Sequence, residues 1–333
     1  MKADMISIVI PNKNNFSKLK KCLESINKSD FKEYEIIVID DGSDKETKQR
    51  YSEIKSAKLK VLFNAKNRGP SFSRNLGANE AKGDIILFID SDCYVFQDTL
   101  NKIDKFFKEN KNISCLGGTY TTRSASGKFF DDFQSLTVNY FETKKIDADY
   151  LAGHCFAVRK DVFKETNGFF IGKSVGRKPN VEDIVLSLDL KELGEKLIML
   201  PELLVQHDPS YNLLKSVKNA YNKSFIWIKL SSKLGNIGGD FGAGGRELKI
   251  SIVVWCLFFL SIILGIFYPR SLLLSFLFLF LNFINLFPMI KRAIKINLGF
   301  GFYLYFTFIY SFVVGLGGAV GLFDYYILNN KRL

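Results

Sequence analysis

Three long apolar stretches in the last quarter of the chain constrain its fold more than any other feature. They cover residues 250–268, 271–290 and 298–323, and none contains Lys, Arg, Asp or Glu in its interior. Because about 20 apolar residues span a bilayer as a helix, each stretch predicts a membrane-spanning helix. A re-entrant pair in place of the first two full spans is the alternative. In either arrangement, part of the chain lies in lipid and part lies in water.

The charges around these stretches predict their orientation. Lys291, Arg292 and Lys295 lie between the second and third stretches. Because basic loops prefer the cytoplasmic side, this loop and the N-terminal part of the chain are predicted to share the cytoplasm. Lys331 and Arg332 would then lie outside, against the same rule. No secretory signal precedes the first predicted strand, which also predicts that the N-terminal domain stays in the cytoplasm. With the three apolar stretches, the expectation is a multi-pass protein of the cytoplasmic membrane.

The first 110 residues alternate between strand and helix signals. Buried strands are predicted at 6–10, 35–39, 59–63 and 85–89, and helices at 16–26, 44–54 and 71–81. Further strands are predicted at 114–120, 150–159 and 197–200, with helices at 160–166 and 182–193. Strands separated by helices favour an α/β domain whose mostly parallel sheet is flanked by helices, and this domain is assigned to residues 1–210.

Residues 211–245 are the predicted junction with a membrane domain that covers residues 246–333. Residues 213–234 mix apolar and basic positions at helical spacing, which predicts an amphipathic helix at the membrane interface. An ordinary surface helix packed on the core would show the same pattern. A Gly-rich linker follows at 235–245. Gly317 and Gly321 form a small-x-x-x-small pair, which can pack against another helix.

The net charge of +12 limits the possible partners. Nucleic acid, an anionic membrane surface and an anionic substrate all suit a basic chain. Neither zinc-finger spacing nor an RNA-binding aromatic signature accompanies the charge, so we expect membrane lipids and a phosphorylated substrate and no nucleic acid. The five cysteines form no Cys-x-x-Cys pair, which predicts free, mostly buried thiols in a reducing compartment.

Polar clusters follow four of the predicted strands. The clusters are Asn12-Lys13-Asn14, Asp40-Asp41, Asn67-Arg68 and Asp90-Ser91-Asp92. In parallel sheets, ligands bind beyond the carboxyl ends of the strands. Four polar clusters at one edge of one sheet therefore predict a ligand site at that edge.

Asp90-Ser91-Asp92 is the strongest local signal for chemistry. Two carboxylates two residues apart in an extended segment point to the same side. Such a pair suits Mn²⁺ or Mg²⁺ and leaves coordination positions open for a diphosphate. An isolated Asp-x-Asp also arises by chance in turns, but its place directly after a buried strand favours metal binding.

Each of two further acidic pairs has both a structural and a functional interpretation. Asp40-Asp41 either belongs to a turn that caps the next helix or binds a base or ribose. Glu182-Asp183 either favours the dipole of the helix that it opens or supplies a general base for an acceptor hydroxyl.

The two histidines are also ambiguous. His207 follows a strand-like segment, and a histidine there is either structural or a metal ligand. His154 lies next to Gly153 in a predicted strand, where the two residues are candidates for the acceptor side of a site.

In chain order, these motifs resemble glycosyltransferase family 2, whose members have the GT-A fold, over roughly residues 5 to 210. The residues that carry the resemblance are Ser7-Ile8-Val9-Ile10-Pro11, Asp40-Asp41-Gly42-Ser43, Asn67-Arg68-Gly69, Arg74-Asn75-Leu76-Gly77, Asp90-Ser91-Asp92, Gly153, Arg159, Asn167-Gly168-Phe169 and Glu182-Asp183. The ordered set is far more specific than any single member of it.

The resemblance implies a role for each motif. Asp41 would contact the nucleotide base, Asp90 and Asp92 would hold the metal and the diphosphate, and Asp183, beside Glu182, would be the catalytic base. His207 matches a position that supplies a further metal ligand in some members. The implied nucleotide-sugar site comprises Pro11, Asn12, Asn14, Asp40, Asp41, Arg68, Arg74 and Asp90.

One departure concerns the donor. Asn12-Lys13-Asn14 stands where the family often has Thr-Tyr-Asn, so an aromatic partner for the base is missing. A UDP-sugar is nevertheless the favoured donor, and Mn²⁺ or Mg²⁺ the expected cofactor.

The implied activity is inverting transfer of a sugar to a hydroxyl of a lipid-linked or cell-surface glycan at the cytoplasmic membrane face. The first alternative is a polyprenyl-phosphate monosaccharide synthase. A processive polysaccharide synthase is less favoured because residues 221–227 lack the Gln-x-x-Arg-Trp motif. An inactive scaffold is disfavoured by the intact acidic set.

Overall fold

The computed structural model describes residues 4–54, 56–170, 181–235 and 245–329. Most of the predicted Gly-rich linker lies outside the described residues, as do Lys331 and Arg332. The chain forms two compact units. The first contains Met1–Thr121 with Glu142–Pro209, and the second contains Thr122–Phe141 with Ser210–Leu333.

An eight-stranded mixed sheet forms the centre of the first unit in its described part, in the order β3-β2-β1-β4-β7-β6-β8-β5. The strands are β1 Ile6–Asn12, β2 Tyr34–Asp40, β3 Leu59–Phe63, β4 Ile85–Ile89, β5 Cys93–Val95, β6 Cys115–Tyr120, β7 Cys155–Arg159 and β8 Leu197–His207. β1 to β4 pair in parallel, and β7 pairs antiparallel with both β4 and β6. The prediction of an α/β domain whose mostly parallel sheet is flanked by helices is confirmed. Among the described strands, four pairings are parallel and three are antiparallel.

Helices cover this sheet. They are α1 Phe16–Asn27, α2 Lys45–Arg50, α3 Pro70–Glu80, α4 Thr99–Glu109, α6 Lys160–Glu165 and α7 Glu182–Glu192; α5 belongs to the second unit apart from its last residue. β1, β2 and β4 are buried almost throughout, as expected for strands covered on both faces. The register pairs Asn12 with Asp40 and Asp40 with Phe63, so the polar ends of these strands meet at one edge.

The second unit contains the apolar helices. Its helices are α5 Phe129–Glu142, α8 Leu213–Lys233, α9 Arg246–Gly265, α10 Leu272–Lys295, α11 Gly299–Leu304 and α12 Ser311–Tyr326, with a π-helical turn at Tyr305–Tyr310 between the last two. Within the described residues, three helical segments are long and apolar enough to cross a membrane: Arg246–Gly265, Pro269–Lys295 and Gly299–Tyr326. The predicted apolar helices are therefore present, and whether they cross a membrane stays a proposal.

The basic loop expected between the second and third apolar stretches is not a loop in the structure. Lys291, Arg292 and Lys295 lie in the last turns of α10, which ends at Lys295. Cations near a helix C-terminus interact favourably with the helix dipole, which extends the helix through this sequence. Arg292 also donates to Asn139 Oδ1 at 3.0 Å.

Helix α5 was not predicted from the sequence. The side chains of Asp131 and Asp132 accept hydrogen bonds from Ser126 and Ser124 in the loop before it. Phe133 is fully buried against aromatic rings of α11 and of the π-helical turn that follows it. Residues 122–141, which the sequence placed in the N-terminal domain, thus pack with the C-terminal helices. The domain boundaries themselves remain predictions.

Gly317 and Gly321 pack α12 against α8. A Cβ atom at Gly317 would lie 2.7 Å from Tyr221 O, and one at Gly321 would lie 2.7 Å from Phe225 O. The predicted packing role of this glycine pair is confirmed, with α8 as the partner helix. Because successive contacts advance in the same direction along both helices, α8 and α12 run parallel. The location of α8 at the membrane interface remains a prediction.

The cysteines agree with the prediction of free, mostly buried thiols. Four are buried and one is exposed, and all five are free: Cys22, Cys93, Cys115, Cys155 and Cys256, the last being the exposed one.

Candidate functional site

At the carboxyl ends of β1 and β2, a hydrogen-bond network ties three side chains together. Asn12 Nδ2 donates to the Tyr51 hydroxyl at 2.7 Å, and that hydroxyl donates to Asp40 Oδ2 at 3.0 Å. Asp40 Oδ1 accepts from the Ser43 backbone N–H at 3.0 Å. Asn12 and Asp40 are buried, so this network forms the floor of the predicted nucleotide site.

Asp41 holds the loop before α3. Its Oδ1 accepts from Arg68 N at 2.8 Å and from Asn64 Nδ2 at 3.0 Å, and its Oδ2 accepts from Gly69 N at 2.8 Å. Both carboxylate oxygens therefore already accept from protein donors, which gives Asp41 a positioning role in this structure. Its implied contact with the base stays a prediction.

The turn after β2 depends on Gly42. Its φ is +70°, and a Cβ there would lie 2.5 Å from Asn67 N, so only glycine fits without a shift of backbone. Asn14 stabilises this turn by accepting from Asp44 N at 2.9 Å.

Two further residues of the predicted nucleotide-sugar site lie in β1 and before α3. Pro11 lies within β1 opposite Ile39. The Arg68 guanidinium lies over the Phe72 ring at 3.4 Å from its centroid.

Arg74 connects Asp90 with Glu182, which lies next to the candidate general base Asp183 in α7. Its Nη2 donates to Asp90 Oδ1 at 2.7 Å, and its Nη1 lies 3.6 Å from Glu182 Oε1. The Arg74 side chain is 6% exposed, so the guanidinium is a buried cation between the carboxylate of Asp90, which directly follows β4, and the carboxylate of Glu182 in α7. The structure thus brings together residues that are more than 90 positions apart in the sequence.

Asp183 lies beside Gly153. A Cβ at position 153 would lie 3.0 Å from Asp183 Oδ1 and 3.1 Å from Arg74 Cζ, so the missing side chain leaves room for both groups. Burial raises the pKa of Asp183, while the charge of Arg74 opposes the rise. Burial and the neighbouring Asp183 charge likewise raise the pKa of Glu182. A carboxyl with a raised pKa can accept a proton near neutral pH.

Unpaired polar atoms cluster around Arg74. In the part of the chain that the structure describes, Arg74 Nε and Nη1, Glu182 Oε2 and Asp183 Oδ1 are buried without a hydrogen-bond partner. Buried polar groups without partners are rare in proteins and occur at functional sites. This cluster marks the place where the polar atoms of a substrate would find partners.

Asp92 and His207 form the candidate metal centre. His207 Nε2 lies 3.9 Å from Asp92 Oδ2. Among the described residues, the ligand atoms of Asp92, Cys93 and His207 all lie within 4.8 Å of one another. Asp90 is outside this group and faces Arg74 instead. Burial raises the pKa of the Cys93 thiol well above its usual value, so the oxygen and nitrogen ligands are the ones that suit Mn²⁺ or Mg²⁺.

The electrostatics of Asp92 fit a divalent cation. Burial and the charge of Asp90 raise the pKa of Asp92 to about 7, although Lys18 opposes the rise. Lys18 itself lies 3.7 Å from Asp208 Oδ1, which is a further acid beside the pair. A site with more carboxylates than cations favours protonation when no metal is bound and binding of a metal when one is available.

Both histidines of the chain stack on one tyrosine. The Tyr120 ring lies 4.1 Å from the ring centroids of both His154 and His207, at interplanar angles of 29° and 11°. His154 Nε2 is 3.4 Å from Glu142 Oε2. Burial lowers the pKa of His154, but Glu142 outweighs that effect and raises it above the usual value.

Sequence reasoning missed Tyr120, Glu142, Tyr51 and Asp208. Asp208 directly follows His207, and its adjacency was an available signal. Tyr120 and Glu142 gave no comparable signal, because they reach the site only through the packing of β6 beside β7 and β8.

Comparison with known proteins agrees with this architecture. Residues 7–166 match the model of the family described as glycosyl transferase family 2. The glycosyltransferase GlyA of Streptococcus pneumoniae is 31% identical over 140 residues, which cover 42% of this chain and 20% of that protein. An uncharacterized glycosyltransferase of Haemophilus influenzae is 29% identical over 205 residues, which cover 60% of this chain and 76% of that protein. The chain thus matches about a fifth of the pneumococcal relative.

Two solved structures share the fold. The mannosyltransferase PcManGT from Pyrobaculum calidifontis, in complex with GDP-Man and Mn²⁺, superposes with a TM-score of 0.59 at 15% identity and covers 96% of this chain and 88% of its own. GalNAc-T7 with UDP, GalNAc and Mn²⁺ has a TM-score of 0.50 at 19% identity over 69% and 51% of the two chains.

The fold and the order of the acidic motifs define a domain of the GT-A type. The family match over residues 7–166 and the curated relatives further support an assignment to glycosyltransferase family 2.

Proposed function

We propose that this protein is a metal-dependent, inverting glycosyltransferase. It moves a sugar from a nucleotide-diphosphate sugar to a hydroxyl of a lipid-linked or cell-surface glycan at the cytoplasmic face of the membrane. The observation that carries the proposal is the buried guanidinium of Arg74, which lies against both Asp90 and Glu182. One cation thereby connects the donor side of the site with the carboxylates of α7.

Asp183 acts as the general base in this proposal. It takes the proton of the acceptor hydroxyl as the oxygen attacks the anomeric carbon, and the bond between that carbon and the diphosphate oxygen breaks. The raised pKa of Asp183 supports the role, because a higher pKa makes the carboxylate a better proton acceptor. The charge of Arg74 favours the ionised carboxylate of Asp183, and Gly153 leaves space beside it.

Asp92 and His207, with Asp90 nearby, would hold a Mn²⁺ or Mg²⁺ ion on the donor side. Such an ion neutralises the charge that develops on a departing diphosphate. GT-A structures with Mn²⁺ and either GDP-Man or UDP support a nucleotide-sugar donor. Those two structures contain different bases, and a UDP-sugar remains our proposed donor. The buried network of Asn12, Tyr51 and Asp40 supports a base site at the ends of β1 and β2.

The apolar helices support an acceptor that is carried by a lipid. Three segments of sufficient length and apolarity to cross a membrane lie in the same chain as the catalytic domain. We place the protein in the cytoplasmic membrane as a multi-pass protein with its catalytic domain inside. A catalytic domain tethered in this way meets acceptors at the membrane surface without a search through bulk water.

The test is a donor screen on full-length protein in detergent with added membrane lipids. Nucleotide release is measured for a panel of nucleotide-sugars with Mn²⁺, Mg²⁺ or EDTA. We expect one donor to be cleaved only with metal, and we expect Asp92→Ala to be silent. Asp98→Asn is the matched control, because Asp98 is an exposed acid that pairs with Lys102 away from the site. No release from any donor, together with no nucleotide binding, would contradict the proposal.

The nature of the acceptor is tested with Asp183→Asn. A hydroxyl acceptor needs a base, so the variant should lose at least about a hundredfold in turnover. A phosphate acceptor is already ionised, and near-normal turnover of the variant with polyprenyl phosphate would instead identify a polyprenyl-phosphate monosaccharide synthase.

A further inference from the structure

We propose that Tyr120 is a positioning residue that fixes the imidazole of His207 for metal binding, and that His154 and Glu142 support it from the other side. This inference rests on the proposed function, because it takes His207 as a metal ligand. Neither the family motifs nor the local sequence marks Tyr120 or Glu142 as functional.

The first step of the argument is the stacking geometry. Tyr120 is the last residue of β6, and His207 is the last residue of β8, which pairs in parallel with β6. The rings of Tyr120 and His207 are stacked and nearly parallel, with an interplanar angle of 11° and centroids 4.1 Å apart. Both residues are buried, at 7% exposure each. The tyrosine ring therefore covers one face of the imidazole and restricts its rotation about χ2.

The direction of that imidazole matters for the metal centre. His207 Nε2 is 3.9 Å from Asp92 Oδ2, and rotation of the ring would move this nitrogen away from the carboxylate. Loss of a group that orients a ligating histidine typically weakens metal binding by about 10- to 100-fold. A stacked ring fixes the plane of the imidazole without using either of its nitrogens.

His154 supports Tyr120 from the opposite face. Its ring lies 4.1 Å from the Tyr120 ring, so the tyrosine is held between the only two histidines of the chain. His154 is held in turn by Glu142, whose Oε2 is 3.4 Å from His154 Nε2.

Glu142 is itself anchored. Its Oε2 accepts from Thr119 Oγ1 at 2.6 Å, and its Oε1 accepts from the Tyr150 hydroxyl at 3.3 Å. A carboxylate with two neutral donors and one imidazole partner is fixed in position within this buried setting. Glu142, His154, Tyr120 and His207 thus form a continuous row of contacts that ends at the metal centre.

The experiment measures Mn²⁺ affinity of the full-length protein in detergent, without any donor, by the EPR signal of free Mn²⁺. Tyr120→Leu removes the ring, and Tyr120→Phe keeps it. We expect Tyr120→Leu to raise the Kd for Mn²⁺ by about tenfold or more, and Tyr120→Phe to stay within about twofold of wild type. Phe107→Leu is the matched control, because Phe107 is a fully buried aromatic residue of the same unit that contacts Arg159 and lies outside the row.

A second readout separates positioning from a general loss of structure. Electron-spin-echo modulation of bound Mn²⁺ detects the nitrogen of a coordinated imidazole. We expect this nitrogen coupling to disappear or weaken in Tyr120→Leu and to persist in Tyr120→Phe and Phe107→Leu. His154→Ala should show a smaller rise in Kd, and the rise should not add to that of Tyr120→Leu, since both act through one ring.

The outcomes distinguish the two levels of the proposal. If His207→Ala weakens Mn²⁺ binding but Tyr120→Leu and His154→Ala do not, the positioning role is wrong and the metal assignment stands. If His207→Ala binds Mn²⁺ as tightly as wild type, the metal assignment of His207 is wrong, and the inference fails with it. If Tyr120→Leu does not fold, the comparison of His154→Ala with His154→Phe, which retains a ring, decides the question by the same two readouts.

Discussion

The buried guanidinium of Arg74 forms an ion pair at 2.7 Å with the partly buried carboxylate of Asp90, and it also reaches Glu182 at 3.6 Å. Burial lowers the pKa of Arg74, but Asp90, Asp183 and Glu182 raise it overall, so it stays charged at any working pH. Three carboxylates therefore depend on one cation that comes from α3. This arrangement makes the stability of the fold and the chemistry of the site depend on the same residue.

Replacement of Arg74 by Met should destabilise the protein strongly. The variant leaves Asp90, Glu182 and Asp183 without their cation, and removal of one partner from a buried ion pair costs about 3 to 5 kcal/mol. We expect a lower midpoint of chemical unfolding and no turnover. Arg74→Lys, which keeps the charge, should lose less stability. An Arg74→Met protein as stable as wild type would show that the carboxylates are already neutral in the native state.

The stability of the metal-free protein should fall as the pH rises from about 4 through 7. The pKa of Asp92 is raised to about 7 by burial and by the charge of Asp90, whereas an unfolded Asp titrates near about 4. In this window the folded state binds more protons than the unfolded state, so the free energy of unfolding decreases with pH.

Thermal unfolding at pH 5.5 and pH 8 with EDTA checks this prediction. Asp92→Asn should show a smaller difference between the two conditions, because the amide does not titrate. Mn²⁺ at pH 8 should recover stability in the wild type and less so in the variant. An unchanged pH difference in Asp92→Asn would assign the effect to other carboxyl groups, such as Glu182.

Gly153→Ala should slow turnover while leaving the fold intact. The new methyl group would lie 3.0 Å from Asp183 Oδ1 and 3.1 Å from Arg74 Cζ, so one of these groups must move by a few tenths of an ångström. Because small displacements of reacting groups are costly in rate, we expect kcat to fall by about tenfold or more. The measurement is steady-state kinetics together with a thermal melt; an unchanged kcat would place Asp183 outside the reaction.

The central sheet was predictable because its strands are short β-branched runs bounded by polar turns. β1, β2 and β4 illustrate this, and their ends correctly located the polar edge. The continuity of β8 was not predictable: the sequence indicated a strand at residues 197–200 and a separate strand-like segment before His207, whereas one strand runs from Leu197 to His207 through Pro201. A proline normally argues against a strand interior, and here β8 accommodates it where the register to β6 shifts.

Helix α5 could not be predicted from the sequence for a different reason. Its aromatic residues include Phe129, Phe130 and Phe133, which occupy several sides of the helix and obscure a helical period. The candidate site shows the same limit at the level of side chains. Motif order identified Arg74, Asp90 and Asp183, but the partnership of Arg74 with Glu182 and the stack around Tyr120 arise only from tertiary packing.

Lys229 and Asp324 should be coupled in stability. Lys229 Nζ lies 2.7 Å from Asp324 Oδ2, and the lysine side chain is 5% exposed. Lys229→Met would leave a largely buried carboxylate without this cation, and we expect a loss of about 3 kcal/mol. The double variant Lys229→Met with Asp324→Asn should recover much of that loss in a chemical unfolding experiment. A loss in the double variant equal to the sum of the losses in Lys229→Met and Asp324→Asn would show that the two residues act independently.

Substitution of Gly321 by Leu should separate α8 from α12, and Gly318 provides a matched control on the same helix. A Cβ at Gly321 would lie 2.4 Å from Ile228 Cγ2 and 2.7 Å from Phe225 O, and a backbone atom cannot give way as a side chain can. No described atom lies within 4 Å of a Cβ at Gly318. The two substitutions add the same apolar side chain to the same helix, so any difference between them reports on packing rather than on hydrophobicity. We expect Gly321→Leu to lower the thermal midpoint and to expose a cysteine introduced at Ile228 to thiol reagents, while Gly318→Leu leaves both unchanged. Equal behaviour of the two variants would show that the close approach of α8 and α12 does not stabilise the second unit.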